Sequence, residues 1–169
     1  MKSLLSGILT ARQCAACRFC CSFAKFESWE TPLFTEQSIQ LLSEKYGSFP
    51  VKKTGSVYTL DLDPFYKMHT PEEYAPCPFL NSTSGCMLAD EEKPFDCKIW
   101  PLRIMRKGSV TVIALTPTCK EINKYPVDAV KKFAEQSGTG ALIYKEAEKM
   151  PDMIKPYREG FLVLMEHTV

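Results

Sequence analysis

From Thr35 to Tyr46 the apolar residues Ile39, Leu42 and Tyr46 fall on one helical face, with Thr35 placed to cap the start and Gly47 to end it. The spacing predicts an amphipathic helix there. A second helix is predicted after Pro126, where Val127, Val130, Phe133 and Ala134 keep helical spacing until Gly138. A third runs from Ala141 to Met150 and stops before Pro151. Near the start, Leu4, Leu5, Ile8 and Leu9 can also share a helical face. Strand patterns are fewer. Val57 to Leu60 follows the turn-forming Thr54-Gly55, and a hairpin is predicted from Leu102 to Arg106, through Lys107-Gly108-Ser109, to Val110–Leu115. Phe161 to Met165 is too short for periodicity to choose between strand and helix.

Between Asp61 and Cys119 the pattern breaks. Pro64, Pro71, Pro76, Pro78, Pro94, Pro101 and Pro117 exclude a long helix. A segment this irregular has little core of its own, and metal bonds can supply what packing does not. The expected fold is therefore α+β, mainly helical with a small β-hairpin and irregular proline-rich central loops, stabilised by a cysteine-bound metal centre. One domain is expected over residues 1–169, with a cysteine core at about 14–119 and a helical part at about 120–169.

Composition narrows the class. The chain of 169 residues is 45% hydrophobic and 24% charged, as folded domains are. A net charge of +1 gives no electrostatic case for nucleic acid or an anionic membrane as partner. No apolar run reaches the ~18 residues a membrane helix needs. The opening has one lysine and a short apolar core, but Arg12 interrupts it and no small-residue cleavage site follows. The expectation is a cytoplasmic chain, in which thiols stay reduced unless metal takes them.

The eight cysteines are what stand out. Cys14, Cys17, Cys20 and Cys21 form C-x2-C-x2-C-C, and Cys77, Cys86, Cys97 and Cys119 follow after a long gap. Two-residue spacing lets consecutive thiolates face one ion while the turn between them aims backbone N–H groups at the sulfurs. Adjacent Cys20 and Cys21 cannot both reach one ion without strain, so one of them is expected to serve a second metal or another iron of a cluster. Eight thiolates complete two four-ligand sites. A 4Fe–4S iron–sulfur cluster, Zn2+, or one of each satisfies that arithmetic; C-x2-C-x2-C with a distant Cys77-Pro78 favours iron–sulfur slightly. Only two histidines exist, and both His69 and His167 read more readily as surface residues than as ligands. Buried inert thiols explain one or two cysteines but not the run.

Four separated elements in order carry a resemblance: Cys14-Ala-Ala-Cys17-Arg-Phe-Cys20-Cys21, Cys77-Pro78-Phe79-Leu80, Gly85-Cys86, and Lys93-Pro94-Phe95-Asp96-Cys97-Lys98-Ile99-Trp100-Pro101. Together they resemble the CxxCxxCC cysteine-cluster family, a zinc- or iron-chelating domain family that also includes flagellin lysine-N-methylases. The resemblance implies that Cys14, Cys17, Cys20, Cys21, Cys77, Cys86 and Cys97 are metal ligands, with Cys119 as the last. This chain departs from the family at Lys93 and Lys98, where arginine is usual, which keeps charge but loses a planar bidentate donor.

Three functions follow as expectations: a metal centre with a structural role and perhaps a protein partner, an electron-transfer iron–sulfur protein, or a protein lysine methyltransferase acting on a protein substrate with S-adenosylmethionine. The last is weakest, since no glycine-rich loop follows a strand to hold an adenosyl cofactor. No conventional catalytic group stands out, and Glu72-Glu73 and Asp90-Glu91-Glu92 read as solvated loops. Lys98, Arg103, Arg106 and Lys107 read as a solvated strand face more readily than as counter-charges to thiolates. Phe79, Phe95 and Trp100 flank cysteines and serve equally as core or as a water-excluding shell. The chain reads as a metal-binding protein rather than an enzyme; if it is an enzyme, an oxidoreductase or a protein lysine methyltransferase is expected.

Overall fold

A computed structural model describes residues 4–168 apart from Ser6, Arg18, Phe26 and His69. The reading of His69 as a surface residue therefore lies outside the described residues, as does part of the opening read against an export signal. In chain order the elements begin with helix α1 (Ala11–Cys17), strand β1 (Ser22–Ala24), strand β2 (Leu33–Phe34) and helix α2 (Glu36–Tyr46). Strands β3 (Val51–Thr54), β4 (Val57–Leu60), β5 (Tyr74–Pro76), β6 (Leu80–Asn81) and β7 (Gly85–Cys86) follow. Helix α3 (Phe95–Ile99), the hairpin β8 (Leu102–Lys107) and β9 (Val110–Leu115), helices α4 (Val127–Gln136) and α5 (Thr139–Glu148), and strands β10 (Lys155–Pro156) and β11 (Leu162–Thr168) complete the chain.

The chain divides into two compact units, Met1–Cys17 with Lys98–Val169, and Arg18–Cys97. In the first, a sheet of order β10-β8-β9-β11 is antiparallel except for the short β10–β8 pairing. Leu102, Ile104, Met105, Val112, Ile113 and Ala114 are all nearly inaccessible, so the hairpin is buried on both faces. Helices α4 and α5 pack on each other, α4 against β11 and α5 against β8. Gly140 makes that approach possible: a Cβ there would come within 2.5 Å of the Met165 sulfur and 3.0 Å of the Ala134 carbonyl oxygen. The chain before α1 makes a turn, with the Leu9 N–H donating to the Leu5 carbonyl at 2.8 Å, and buries Leu5 and Leu9.

In the second unit, β2-β4-β3 forms a three-stranded sheet, and β1–β5 and β6–β7 are separate two-stranded ladders. Its core gathers Phe23, Phe34, Leu42, Leu60, Leu62, Tyr66, Ala75, Phe79 and Leu88. Helix α2 starts where expected, the Ser38 N–H donating to the Thr35 hydroxyl at 3.2 Å. It ends at Gly47, whose φ of 85° is left-handed.

The mainly helical expectation is corrected. The fold is α+β with 35% of residues helical and 26% in strands, arranged among the described residues as five helices and four sheets. The missing strands are two to four residues long, too short to leave a period in the sequence. Five of the eleven, β5 to β9, lie in the stretch read as irregular proline-rich loops around one hairpin. Residues 162–168 settle as strand because they pair with β9. The expectation that a cysteine-bound metal centre stabilises the fold is corrected as well: both units have apolar cores, and no assembled metal site is found among the described residues. Among the described residues no helix is long and apolar enough to cross a membrane.

Candidate metal centre

All eight cysteines are reduced, and the unit boundary cuts through the C-x2-C-x2-C-C run. In the first unit, α1 carries Cys14 and Cys17 three residues apart, hence on one side of the helix. Cys119 lies in the loop after β9, where its carbonyl accepts from the Asn123 N–H at 3.1 Å. Burial raises the Cys119 thiol pKa; the Ile122 and Glu121 N–H groups oppose the rise and the Cys17 charge adds to it. Cys17 and Cys119 are thus brought within each other's electrostatic reach.

In the second unit, Cys20 and Cys21 sit in the 3-10 turn Phe19–Cys21 that leads into β1. Cys77 follows β5 directly. Since β1 pairs with β5, Ser22 opposite Pro76, the flanking Cys21 and Cys77 meet: the Cys77 N–H donates to the Cys21 carbonyl at 2.8 Å. Cys86 ends β7, opposite Leu80 of β6, and the Leu80 N–H in turn donates to the Cys77 carbonyl at 2.9 Å. Cys97 is exposed on α3. The buried Asp96 beside it accepts from the Leu33 N–H at 3.1 Å, fastening the start of α3 to β2.

The thiols differ in acidity. A hydrogen bond from Cys20 holds Cys21 below the usual thiol range, with the Lys93 charge helping and burial opposing. Burial pushes Cys77 up to about 12, and the charges of Cys21 and Cys86 push the same way. Cys86 is raised too: the protein around its exposed side chain desolvates it, Cys21 and Asp90 add to the rise, and the Leu88 N–H and Lys93 oppose it. The donor set, reduced sulfurs with an ammonium nearby, suits a soft or borderline metal. Its geometry is not that of a closed site: among the described residues no group of three or more His, Cys, Asp or Glu side chains is arranged to hold a metal ion.

The acidic loop after Cys86 is more than a solvated one. The Glu92 carboxylate accepts from Lys45 Nζ at 2.5 Å, from the Tyr46 hydroxyl at 2.7 Å and from the Ala89 N–H at 2.9 Å. These partners, Lys45 first, hold its pKa down at about 2. Lys45 and Tyr46 are 47 and 46 residues away in sequence, so no local pattern announces them. The sign of the pH effect follows. Folding lowers this pKa from 4.5, so the stabilisation is complete above 4.5 and lost as pH falls through about 2. Solvent screening keeps it small. Urea denaturation is expected to show Glu92→Gln less stable than wild type at about pH 6, with the gap shrinking towards about pH 2.5.

The basic strand face divides. Arg106 and Lys107 are exposed as expected, but Arg103 is buried with its guanidinium 5.0 Å from the Trp100 ring centroid. Phe79 is core, edge-on to Tyr46 and Phe49. Comparison with family models, with curated proteins and with solved structures found no match to this chain.

Proposed function

We propose that this chain is a metal-binding protein of the CxxCxxCC type, holding an iron–sulfur cluster, zinc, or one of each through Cys14, Cys17, Cys20, Cys21, Cys77, Cys86, Cys97 and Cys119. The observation that carries the reading is the meeting of sequence-distant cysteines within the second unit, where Cys21 and Cys77 share a backbone hydrogen bond, Cys20 donates to Cys21, and Cys86 feels the charge of Cys21 while its own acts on Cys77. Inert core thiols have no reason to gather, since each packs as well alone. Cys14, Cys17 and Cys119 supply further sulfurs in the first unit. A 4Fe–4S cluster would supply one-electron chemistry, whereas zinc closed by four thiolates would be a fixed, redox-silent centre. The residues' own part is to offer thiolates and to keep their charge compensated.

Anaerobic purification followed by elemental analysis and visible spectroscopy tests this. Iron with acid-labile sulfide and a broad visible band is expected for the cluster; a colourless protein with about two zinc per chain is expected for the all-zinc form. A chain that carries neither metal, and takes up neither on reconstitution, overturns the proposal.

A further inference from the structure

Strands β1 and β5 pair in a register that does not stop at their last residues. Ser22 stands opposite Pro76, Phe23 opposite Ala75 and Ala24 opposite Tyr74. One step beyond each end, the Lys25 N–H donates to the Glu73 carbonyl at 3.1 Å and the Cys77 N–H to the Cys21 carbonyl at 2.8 Å. In an antiparallel pair, opposite residues exchange backbone hydrogen bonds at every second position. Lys25–Glu73, Phe23–Ala75 and Cys21–Cys77 are therefore the hydrogen-bonding pairs. Pro76, with no N–H to give, falls at a position that needs none. Cys21 and Cys77 thus stand directly opposite each other across the ladder.

Side chains alternate along a strand, so opposite residues share a face. Phe23 and Ala75 are buried, whereas Tyr74 of the alternate set is exposed. Cys21 and Cys77 continue the buried set, and Cys77 packs against the core of the unit. A hydrogen-bonded antiparallel pair holds its Cα atoms about 5.5 Å apart, inside the roughly 4.4–6.8 Å that a disulfide spans. Its Cβ atoms lie at the wide end of about 4.5–5.5 Å, more than the roughly 3.5–4.5 Å of a relaxed disulfide. Closing the bond draws the strands together and leaves it strained and readily reduced. The backbone around the pair is fixed: the Cys77 carbonyl accepts from the Leu80 N–H at 2.9 Å, and the Tyr66 hydroxyl donates to the Phe23 carbonyl at 3.0 Å. Cys20 is the nearest rival in sequence, but joining adjacent cysteines closes a small ring that twists the planar trans peptide between them.

We propose that Cys21 and Cys77 form a dithiol site for thiol–disulfide exchange, which a low-molecular-weight disulfide closes into a reversible cross-strand bond. One cysteine thiolate attacks a sulfur of the small disulfide; its sulfur–sulfur bond breaks, a mixed disulfide forms and one small thiolate leaves. The opposite thiolate then attacks the protein sulfur of the mixed disulfide and expels the second small thiolate. Both protein thiols give their protons to solvent, and the two released thiolates take up two. Two protein thiols are thereby oxidised by two electrons, and one small disulfide is reduced to two small thiols. A disulfide withdraws both sulfurs from metal binding, so this chemistry belongs to the metal-free chain. It stands on the register of β1 and β5, not on the metal proposal above.

The metal-free full chain, reduced and then exposed to oxidised glutathione, tests this by peptide mapping with tandem mass spectrometry. The expected main product joins Cys21 to Cys77, and it is expected to revert to free thiols in excess dithiothreitol. Cys20→Ser is expected to keep that product and Cys21→Ser to lose it. Without the fold, loop-closure entropy favours cysteines close in sequence. The same treatment in urea is therefore expected to replace the product with pairs among Cys14, Cys17, Cys20 and Cys21. A native chain that joins Cys21 mainly to Cys20 or Cys77 mainly to Cys86, or that stops at glutathione mixed disulfides, overturns the proposal. So does loss of the product in Cys20→Ser, or a product as abundant in urea as in the native chain.

Discussion

Cys77→Ser is expected to cost the protein most of its metal, with a fall in affinity larger than the roughly 10–100-fold produced by losing a partner outside the ligand shell. Cys77 is informative because its surroundings oppose the thiolate strongly. It packs against the apolar core of its unit, and burial lifts its pKa to about 12. Without metal it is a protonated thiol at neutral pH, which serine replaces with a similarly shaped neutral group. With metal it must give up its proton, so binding through Cys77 releases a proton and weakens as pH falls. The raised thiols of Cys86 and Cys119 add to that dependence. Metal per chain, measured on wild type and Cys77→Ser purified side by side, checks the expectation. Equal metal content in the two would reduce Cys77 to a core residue.

Phe34→Ala is expected to destabilise the second unit by about 3–5 kcal/mol in urea denaturation, the range found when a buried aromatic is cut back to alanine. Phe34 is 1% exposed on β2, opposite Tyr58 of β4. Its ring tilts against Phe49 with centroids 5.8 Å apart, and Leu42, Leu60 and Phe79 belong to the same core. Removing the ring empties a space that α2 and the three-stranded sheet share. Phe65 provides the control: it is 46% exposed, and Phe65→Ala is expected to change stability by no more than about 0.5 kcal/mol. Similar effects at both positions would mean that this core does not hold the unit together.

Local signals in the sequence were read well where one residue decides the geometry. Thr35 and Gly47 bound α2, Thr54-Gly55 and Gly108 mark tight hairpins, and Pro126 precedes α4. What failed was strand content: β1, β2 and β5 are held by partners far along the chain, and β6 and β7, paired with each other across a short turn, are only two residues long each. Spacing alone marks the cysteines as a candidate ligand set. It does not mark their distribution: nothing local tells that Cys17 and Cys119 fall to one unit while Cys21, Cys77 and Cys86 fall to the other. Glu92 was misread for the same reason, since Lys45 and Tyr46 reach it only after α2 has folded. Arg103 also defied its residue type, being buried against Trp100.

The central claim is that sulfur, and not the acidic loops or His167, binds the metal. X-ray absorption at the metal edge of the anaerobically purified chain tests it most directly. A first coordination shell made of sulfur at about 2.3 Å is the predicted result. A shell of nitrogen and oxygen alone, at about 2.0–2.2 Å, would contradict it.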